Sequence, residues 1–263
     1  MKPDYKNWVP KGMIVGLWIG DAVLLVGTLI FFGTGFALRN LFGGVLGAVF
    51  GVAFLLCTAS TLWCVKAYRA FAYDGKRQLS RQIIEGVARY VTAPANGRIL
   101  DIGCGSGALT IACAKRNPRC TVTGLDRWGK EYAEYNRRLC EDNAKAEGVG
   151  NTCFVSGNAV GLDFPDESFD AVTSNYVYHN ITGRDKQALL LETLRVLKKG
   201  GAFAIHDIMS PRRYGDMKPF IRELKRQGYR KVVMIDTAKG MFMSPWEAKS
   251  LRLKGSAILY GIK

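Results

Sequence analysis

Two long apolar runs near the start of the chain limit its possible folds more than any other feature. Residues 13–38 contain a single charged side chain, Asp21, and residues 41–65 contain none. Each run exceeds the roughly 20 residues that cross a hydrocarbon core of ~30 Å as an α-helix. We therefore predict that residues 1–70 form a transmembrane hairpin with spans at about 13–38 and 41–65. A helical pair buried inside a soluble protein is the alternative.

Basic residues flank the two runs unevenly. Lys2, Lys6 and Lys11 precede the first run, and Arg39 alone lies between the runs. Five further cations follow the second run: Lys66, Arg69, Lys76, Arg77 and Arg81. Because cytoplasmic flanks carry the excess of Lys and Arg, both termini and the domain after the hairpin are predicted to be cytoplasmic. The chain is accordingly expected to be a multi-pass protein of the cell membrane.

Small residues within the runs predict how the two helices meet. Glycines recur every fourth residue, at Gly16 and Gly20 in the first run and at Gly43, Gly47 and Gly51 in the second. This spacing lets two helix backbones approach closely in lipid. Asp21 has two interpretations. It is either a functional acid inside the membrane or a hydrated aspartate just under the cytoplasmic interface.

The chain has a net charge of +15, from 37 Lys and Arg against 22 Asp and Glu. The first 70 residues hold six of these cations and two of the acids, so residues 71–263 carry 31 minus 20, or +11. Next to two spans, this charge favours anionic lipid headgroups as the partner. Nucleic acid is the rival, but no zinc-finger spacing or aromatic RNA-binding signature accompanies the charge. We predict contact with the lipid bilayer and none with nucleic acid.

The seven cysteines are scattered and contain no C-x-x-C pair. In the reducing compartment inferred above, they are expected to be small buried residues. No disulfide framework and no metal site are predicted.

Beyond a short linker predicted at 66–76, strand and helix patterns alternate. Helices are predicted at 79–91, from near Gly107, and at 131–146, 186–197 and 218–227. Strands are predicted at 98–102, 121–125, 153–156, 171–174, 202–206, 231–236 and 257–261. This alternation is typical of an α/β fold in which helices cover both faces of a mainly parallel sheet.

The sharpest motif in this domain is the segment RILDIGCGSG at residues 98–107. A strand that leads into three closely spaced glycines and a helix is typical of a loop whose bare backbone receives a ligand. Gly103, Gly105 and Ala108 also fit the dinucleotide fingerprint G-x-G-x-x-G/A. Asp101 separates the two interpretations, because an acid beside the loop opposes a pyrophosphate and favours a cationic ligand. A sulfonium cofactor with an ammonium group is therefore the better match.

A second acid, Asp126, ends the next strand about 20 residues beyond the loop, where a carboxylate can hold a ribose diol. This position suits either kind of adenosine cofactor, so it does not choose between them. The alternative is that Asp126 caps the N-terminus of a following helix.

With these motifs in place, the chain resembles the class I S-adenosylmethionine-dependent methyltransferases over about residues 79–263. The segments ILDIGCGSG and LRVLKKGG (194–201) carry the resemblance. It implies that residues 71–263 form a Rossmann-like, doubly wound seven-stranded sheet in the order 3-2-1-4-5-7-6, with the last strand antiparallel.

The resemblance also implies S-adenosylmethionine as the cofactor and a set of binding residues. The positions that match the family's cofactor site are Asp101, Gly103, Cys104, Gly105, Gly107, Asp126, Arg127, Asn158, Ala159, Ser174 and Asn175. In the family, the matches to Asp101 and the glycines face the methionine part, and the match to Asp126 binds the ribose. Asn158 stands where the family usually has an aspartate beside the adenine. The matches to Ser174 and Asn175 lie under the methyl-bearing sulfur.

Methyl transfer needs an aligned acceptor and, where the acceptor must lose a proton, a base. His179 and His206, the only histidines, lie at or just past the carboxyl ends of predicted strands, the edge at which such sheets bind ligands. We predict His179 and Tyr178 as the catalytic residues, with His179 as a base or an orienting donor. A structural role is the alternative for His179 and the favoured interpretation of His206.

The predicted tether favours a small lipophilic acceptor at the cytoplasmic membrane face, such as a quinone, a phospholipid headgroup or an isoprenoid. Methylation of a soluble small molecule, a catalytically silent cofactor-binding membrane protein and a nicotinamide-dependent oxidoreductase are the alternatives. The apolar segment 241–246 either dips toward the bilayer, caps the site or packs on the sheet.

Overall fold

A computed structural model of the chain describes residues 2–33, 41–129 and 134–263. The chain divides into two compact units. The first comprises Asn7–Ser80, and the second comprises Met1–Lys6 together with Arg81–Lys263. We refer to them as the hairpin unit and the sheet unit.

The hairpin unit contains two long apolar helices, α1 (Lys11–Gly33) and α2 (Leu41–Phe71). Both are long and apolar enough to cross a membrane, with a mean hydropathy of 2.2 in their most apolar windows. Only 6% and 11% of those windows are buried, which is unlike the core helix of a soluble protein. Arg39, which lies between the two predicted spans, is outside the described residues.

Helix α2 extends further than its apolar run. The linker predicted at 66–76 is wrong in its first half, because the helix continues to Phe71. Residues 66–71 contain two alanines, a lysine and an arginine, which favour helix, and no glycine interrupts them before Gly75.

The glycines of α2 lie at its contact with α1, as their spacing predicts. A side chain added at Gly47 would place its Cβ 2.9 Å from the ring of Phe32. The space beside Gly27 of α1 is occupied by the Phe50 ring, which would lie 2.4 Å from an added Cβ. The first run follows the prediction less well, since among the described residues nothing lies within 4 Å of the Cβ position of Gly16.

Asp21 is buried inside the hairpin unit. Its carboxylate accepts hydrogen bonds from the hydroxyls of Thr58 (3.1 Å) and Thr61 (2.7 Å) on α2. Thr61 Oγ1 also lies 3.0 Å from the carbonyl of Cys57. The interpretation of Asp21 as a hydrated acid is therefore wrong, because its side chain is buried and bonds to threonines, whereas its depth relative to a membrane interface stays a prediction.

The sheet unit is built on seven strands in the order β3-β2-β1-β4-β5-β7-β6. The strands are β1 (Arg98–Ile102), β2 (Thr121–Asp126), β3 (Thr152–Ser156), β4 (Phe169–Asn175), β5 (Leu197–Ile208), β6 (Lys231–Asp236) and β7 (Ser256–Ile262). Strands β1 to β5 pair in parallel, and β7 is antiparallel to both β5 and β6. The Rossmann-like order and the antiparallel last strand confirm the predicted topology.

Helices connect the strands. They are α3 (Leu79–Ala88), α4 (Ala108–Arg116), α5 (Arg137–Ala146), α6 (Lys186–Arg195), α7 (Pro211–Tyr214), α8 (Met217–Arg226) and α9 (Pro245–Ser250). The helix predicted at 131–146 begins later, at Arg137, because the Asn136 side chain caps it by accepting a hydrogen bond from the Leu139 amide. Residues 130–133 lie outside the described part of the chain.

Candidate active site

The parallel strands bring two groups of polar residues to one edge of the sheet. Strands β1, β2, β4 and β5 all end there, and the register places Asn175 beside His206. Strands β1 and β2 and the loop after β1 carry Asp101, Asp126 and the glycines, whereas His206 lies in β5 and His179 follows β4. The two groups therefore lie at the carboxyl edge, where open α/β sheets bind ligands.

The glycine loop after β1 has the backbone that its sequence predicts. Gly103, Gly105 and Gly107 all adopt positive φ angles, of 74°, 56° and 81°. A Cβ at Gly103 would lie 2.2 Å from Val177, so glycine is required there by space as well as by conformation. At Gly105 the nearest atom among the described residues would be 3.6 Å away, on Tyr135, so those residues leave space beside the backbone.

Asp101, at the end of β1, is a buried carboxylate with one atom unused. Its Oδ2 accepts a 2.6 Å hydrogen bond from the Thr110 hydroxyl, and Oδ1 has no partner among the described residues. Burial raises the pKa of Asp101 to about 7, and the nearby charge of Asp126 acts in the same direction against the Thr110 hydrogen bond. A cationic group that reached Oδ1 would stabilise the ionised form, so the site fits a ligand with an ammonium or sulfonium group.

Asp126 braces the same loop. Its Oδ2 accepts from the Gly105 amide at 2.8 Å, and its Oδ1 accepts from the Trp128 amide at 2.9 Å. The alternative role as a helix N-cap is wrong, since the next described helix begins only at Arg137.

Trp128 is a loop contact that the sequence did not identify. Its indole Nε1 donates to the Gly105 carbonyl at 3.1 Å, and its backbone has a positive φ of 44°. Cys140 reaches the same carbonyl at 3.1 Å. Two of the predicted cofactor-binding residues differ in exposure: Arg127 is exposed, whereas the Cys104 side chain is buried.

The remaining predicted cofactor residues are divided between surface and core. Asn158 is exposed, and its Oδ1 accepts from the Val160 amide at 3.0 Å; Ala159 packs partly buried against the core. Ser174 is fully buried, and its hydroxyl donates to the Ile102 carbonyl at 2.8 Å. The Ser174 hydroxyl thus ties β4 to β1, and the position of Ser174 under the methyl-bearing sulfur stays a prediction.

On the other side of the edge, His179 faces the buried carboxylate of Asp207. Nδ1 of His179 lies 2.6 Å from Oδ1 of Asp207, and the His179 amide donates to Oδ2 at 3.0 Å. The 2.6 Å approach does not have the alignment of a hydrogen bond. Tyr214 and the Ile208 amide complete the shell of donors around the carboxylate, at 2.9 and 2.6 Å.

These donors decide the charge of Asp207. Burial by itself would raise the pKa of this carboxyl, but His179, the Ile208 amide and the Tyr214 hydroxyl together hold it below its ordinary value. Asp207 is therefore an anion at neutral pH. An anion beside Nδ1 orients the ring, which is one requirement of a histidine base.

His206 has a structural role, as favoured above. It is fully buried, with Nδ1 2.8 Å from Asn175 Oδ1 and Nε2 2.8 Å from the Thr237 hydroxyl. Burial lowers the pKa of His206 to about 3, so the ring stays neutral. The side-chain oxygen of Asn175, a predicted cofactor residue, therefore contacts His206.

The prediction of Tyr178 as a catalytic residue is wrong. Its side chain is fully buried in the core, and its hydroxyl lies 2.5 Å from that of Thr193. Tyr176 is the tyrosine at the edge, with its ring centroid 5.8 Å from that of His179 and 4.7 Å from that of His206. Tyr176 has a positive φ of 55°, so the alternation of side chains along β4 does not continue past the end of the strand. Sequence spacing does not reveal this change.

The apolar segment 241–246 is partly packed on the sheet unit and partly exposed. The Phe242 ring lies 5.6 Å from the His206 ring and fills the space that a side chain at Gly86 would need. Met243 is buried, whereas Trp246 is 70% exposed. Phe242 thus adds an apolar wall near the histidines, and Trp246 remains on the surface.

We predict that Asp101→Asn stabilises the ligand-free protein at pH 8. An acid whose pKa is raised on folding favours its protonated form, so its contribution to stability falls as the pH rises toward 7. Asparagine resembles the protonated acid and avoids this loss, which should raise the unfolding temperature by a few degrees at pH 8 and by almost nothing at pH 4.

Thermal unfolding of both proteins across this pH range measures the effect. Asp163→Asn, at an exposed position of the sheet unit, is the matched control and should shift neither end of the range. A destabilised Asp101→Asn at pH 8 would show that the carboxylate is not strained by burial.

Comparison with known proteins agrees with this site. Residues 100–205 match a family model described as a methyltransferase domain. A demethylmenaquinone methyltransferase of Geobacillus kaustophilus is 35% identical over 132 residues, which cover 50% of this chain and 53% of that protein. An uncharacterized methyltransferase, YcgJ of Bacillus subtilis, is 36% identical over 117 residues, or 44% of this chain and 43% of that one.

The chain thus spans about half the length of the curated relatives that it matches. Among solved structures, the [4+2]-cyclase SpnF aligns with a TM-score of 0.53 and 19% identity, over 71% of this chain and 82% of that one. At this identity the likeness concerns the fold alone. The glycine loop, the strand order and the matched region together show that the sheet unit resembles the S-adenosylmethionine-dependent methyltransferases, with residues 100–205 similar to a methyltransferase domain.

Proposed function

We propose that the chain transfers a methyl group from S-adenosylmethionine to a small lipophilic acceptor, of the quinone class, at the cytoplasmic face of the membrane. The observation that carries this proposal is the pairing of His179 with buried Asp207 at the same sheet edge as the glycine loop. One group suits a base, and the other suits the cofactor.

The cofactor would supply a methyl group already activated on a sulfonium. Three side chains would hold it. Asp101, with its unused buried oxygen, suits the ammonium group. Asp126 suits the ribose hydroxyls, and Asn158 suits the adenine edge. The open backbone at Gly105 lets the ligand lie against the loop.

His179 would act on the acceptor. Because Nδ1 faces Asp207, Nε2 is the nitrogen left to take a proton from the acceptor atom that attacks the methyl group. Arg213 donates to the His179 carbonyl at 3.0 Å and helps to fix this segment. Val177, Tyr176 and Phe242 supply apolar surface that suits a ring-shaped acceptor and excludes water.

The relatives support the quinone class. Several curated proteins that match this chain are named demethylmenaquinone methyltransferases, from Geobacillus and Listeria. We propose a substrate of the same class for this chain, although the match covers about half of each relative. A soluble acceptor and a silent cofactor-binding protein are the competing functions, and acceptor-dependent turnover separates them.

Two features support action at the membrane face. The first is the pair of exposed apolar helices, α1 and α2, with their cationic flanks. The second is a strongly basic surface on the sheet unit, which we define as the eight exposed cations Arg212, Arg213, Lys218, Arg222, Lys225, Arg226, Arg230 and Lys231. Only two acids, Asp216 and Glu223, interrupt this segment.

The basic surface begins at the catalytic edge and follows α8 across the sheet. Lys218, Arg222 and Lys225 occupy the outer face of α8, while Phe220 and Leu224 are buried in the core. Within the described residues, Glu223 pairs with Arg226 and leaves the other cations of the surface without an acidic partner. Each cation near an anionic membrane contributes about 1 kcal/mol of attraction, so the surface favours a lipid partner.

The central prediction is label transfer from methyl-labelled S-adenosylmethionine to an organic-phase product. The full-length protein in detergent would be incubated with a total lipid extract, or with a demethylated quinone, beside the Asp101→Ala variant. Label in the organic phase with the intact protein alone supports the proposal. Label found only in water-soluble products would contradict the lipophilic acceptor, and absence of cofactor binding would contradict the function itself.

We predict that His179→Ala lowers kcat by roughly 100-fold or more, the range of general base catalysis, with little change in cofactor affinity. Asp207→Asn should act in the same direction, because the amide cannot stabilise a protonated ring. Steady-state kinetics and titration with S-adenosylhomocysteine separate the two effects. Equal losses in turnover and affinity would instead indicate a structural role for His179.

We predict that the triple variant Lys218→Glu, Arg222→Glu and Lys225→Glu lowers activity roughly threefold to tenfold in anionic nanodiscs, and not in zwitterionic ones. The matched control reverses three cations of α5: Arg137→Glu, Arg138→Glu and Lys145→Glu. Equal effects of the two variants, or equal effects in the two lipids, would exclude a lipid-binding role for the basic surface.

A further inference from the structure

The first residues of the chain belong to the sheet unit, although residues 7–80 separate them from the rest of it. We define residues 2–6 as the N-terminal arm. The arm lies beside the glycine loop and α5, and two of its residues, Asp4 and Tyr5, make the contacts described next.

Asn143 of α5 joins the arm to the loop. Its side chain accepts from the Asp4 amide at 2.7 Å and donates to the Asp4 carbonyl at 2.9 Å. The same side chain donates to the Ser106 carbonyl at 2.9 Å. Asn143 is buried, so water does not compete for these hydrogen bonds.

Tyr5 makes a second connection. The Ser106 hydroxyl donates to the Tyr5 carbonyl at 2.9 Å. The Tyr5 side chain is buried, and its hydroxyl donates to Glu147 at 2.9 Å. Glu147 in turn pairs with Lys115 at 2.5 Å. The Ser106 hydroxyl thus bonds to the arm, and the Ser106 carbonyl bonds to Asn143, which also holds the arm.

Ser106 lies between Gly105 and Gly107, which have no side chains to fix them. Three positive-φ glycines in five residues make this loop costly to order. Asp126 and Trp128 hold it at Gly105, and the arm holds it at the next residue. A binding loop that is ordered beforehand loses less entropy when its ligand binds.

We propose that the N-terminal arm is a positioning element of the cofactor site, which orders the glycine loop through Asp4 and Tyr5. The inference rests on the proposed function, in that the loop is taken to bind S-adenosylmethionine. Coupling is reciprocal, so a ligand in the loop also orders the arm. The chain therefore supplies part of its cofactor site from residues that precede the first apolar helix.

The test uses the full-length protein in detergent and S-adenosylhomocysteine as the probe, with calorimetric titration and amide hydrogen exchange as readouts. Tyr5→Ala and Asn143→Leu are expected to weaken binding about tenfold, or 1.4 kcal/mol. Tyr5→Phe, which keeps the ring and the main-chain carbonyl, should bind within about twofold of wild type. The probe should slow exchange of the Asp4, Tyr5 and Lys6 amides.

Tyr90→Ala is the control for general destabilisation, because Tyr90 packs on Tyr260 away from the loop, with ring centroids 4.5 Å apart. It should leave affinity unchanged. Variants of the arm that bind like wild type, or arm amides that ignore the probe, would overturn the positioning role while leaving the proposed function intact. Failure of the wild type to bind the probe would overturn both.

Discussion

Burial of two carboxylates at one sheet edge is the constraint on which the site depends. A buried carboxylate costs several kcal/mol unless donors or cations compensate it. Asp207 is compensated within the protein by His179, Tyr214 and the Ile208 amide, so it remains charged. Among the described residues, Asp101 accepts hydrogen bonds from Thr110 alone, and burial raises its pKa to about 7. One acid therefore faces the protein's own histidine, and the other keeps a buried oxygen without a partner among the described residues.

The hairpin unit obeys the same rule in an apolar setting. Asp21 is tolerated because Thr58 and Thr61 of the facing helix donate to it. Away from this contact the helices present apolar side chains outward, as candidate spans should. The acid accordingly ties the two helices together.

The fold by itself does not decide the reaction, because the same sheet order hosts unrelated chemistry. The structural neighbour SpnF, named as a [4+2]-cyclase, illustrates this at 19% identity. The features that favour methyl transfer are the matched domain at residues 100–205 and the chemistry of Asp101, His179 and Asp207.

Local signals in the sequence determined the element order, the sheet topology and the glycine loop, because periodicity and glycine spacing are properties of neighbouring residues. They also led to the predictions of a catalytic role for His179 and a structural role for His206. Only the tertiary structure revealed Asp207 as the partner of His179, placed Tyr178 in the core and brought Trp128 and Tyr5 to the loop. These contacts join residues from 23 to 142 positions apart, and no local pattern encodes which distant side chains the packed sheet brings together.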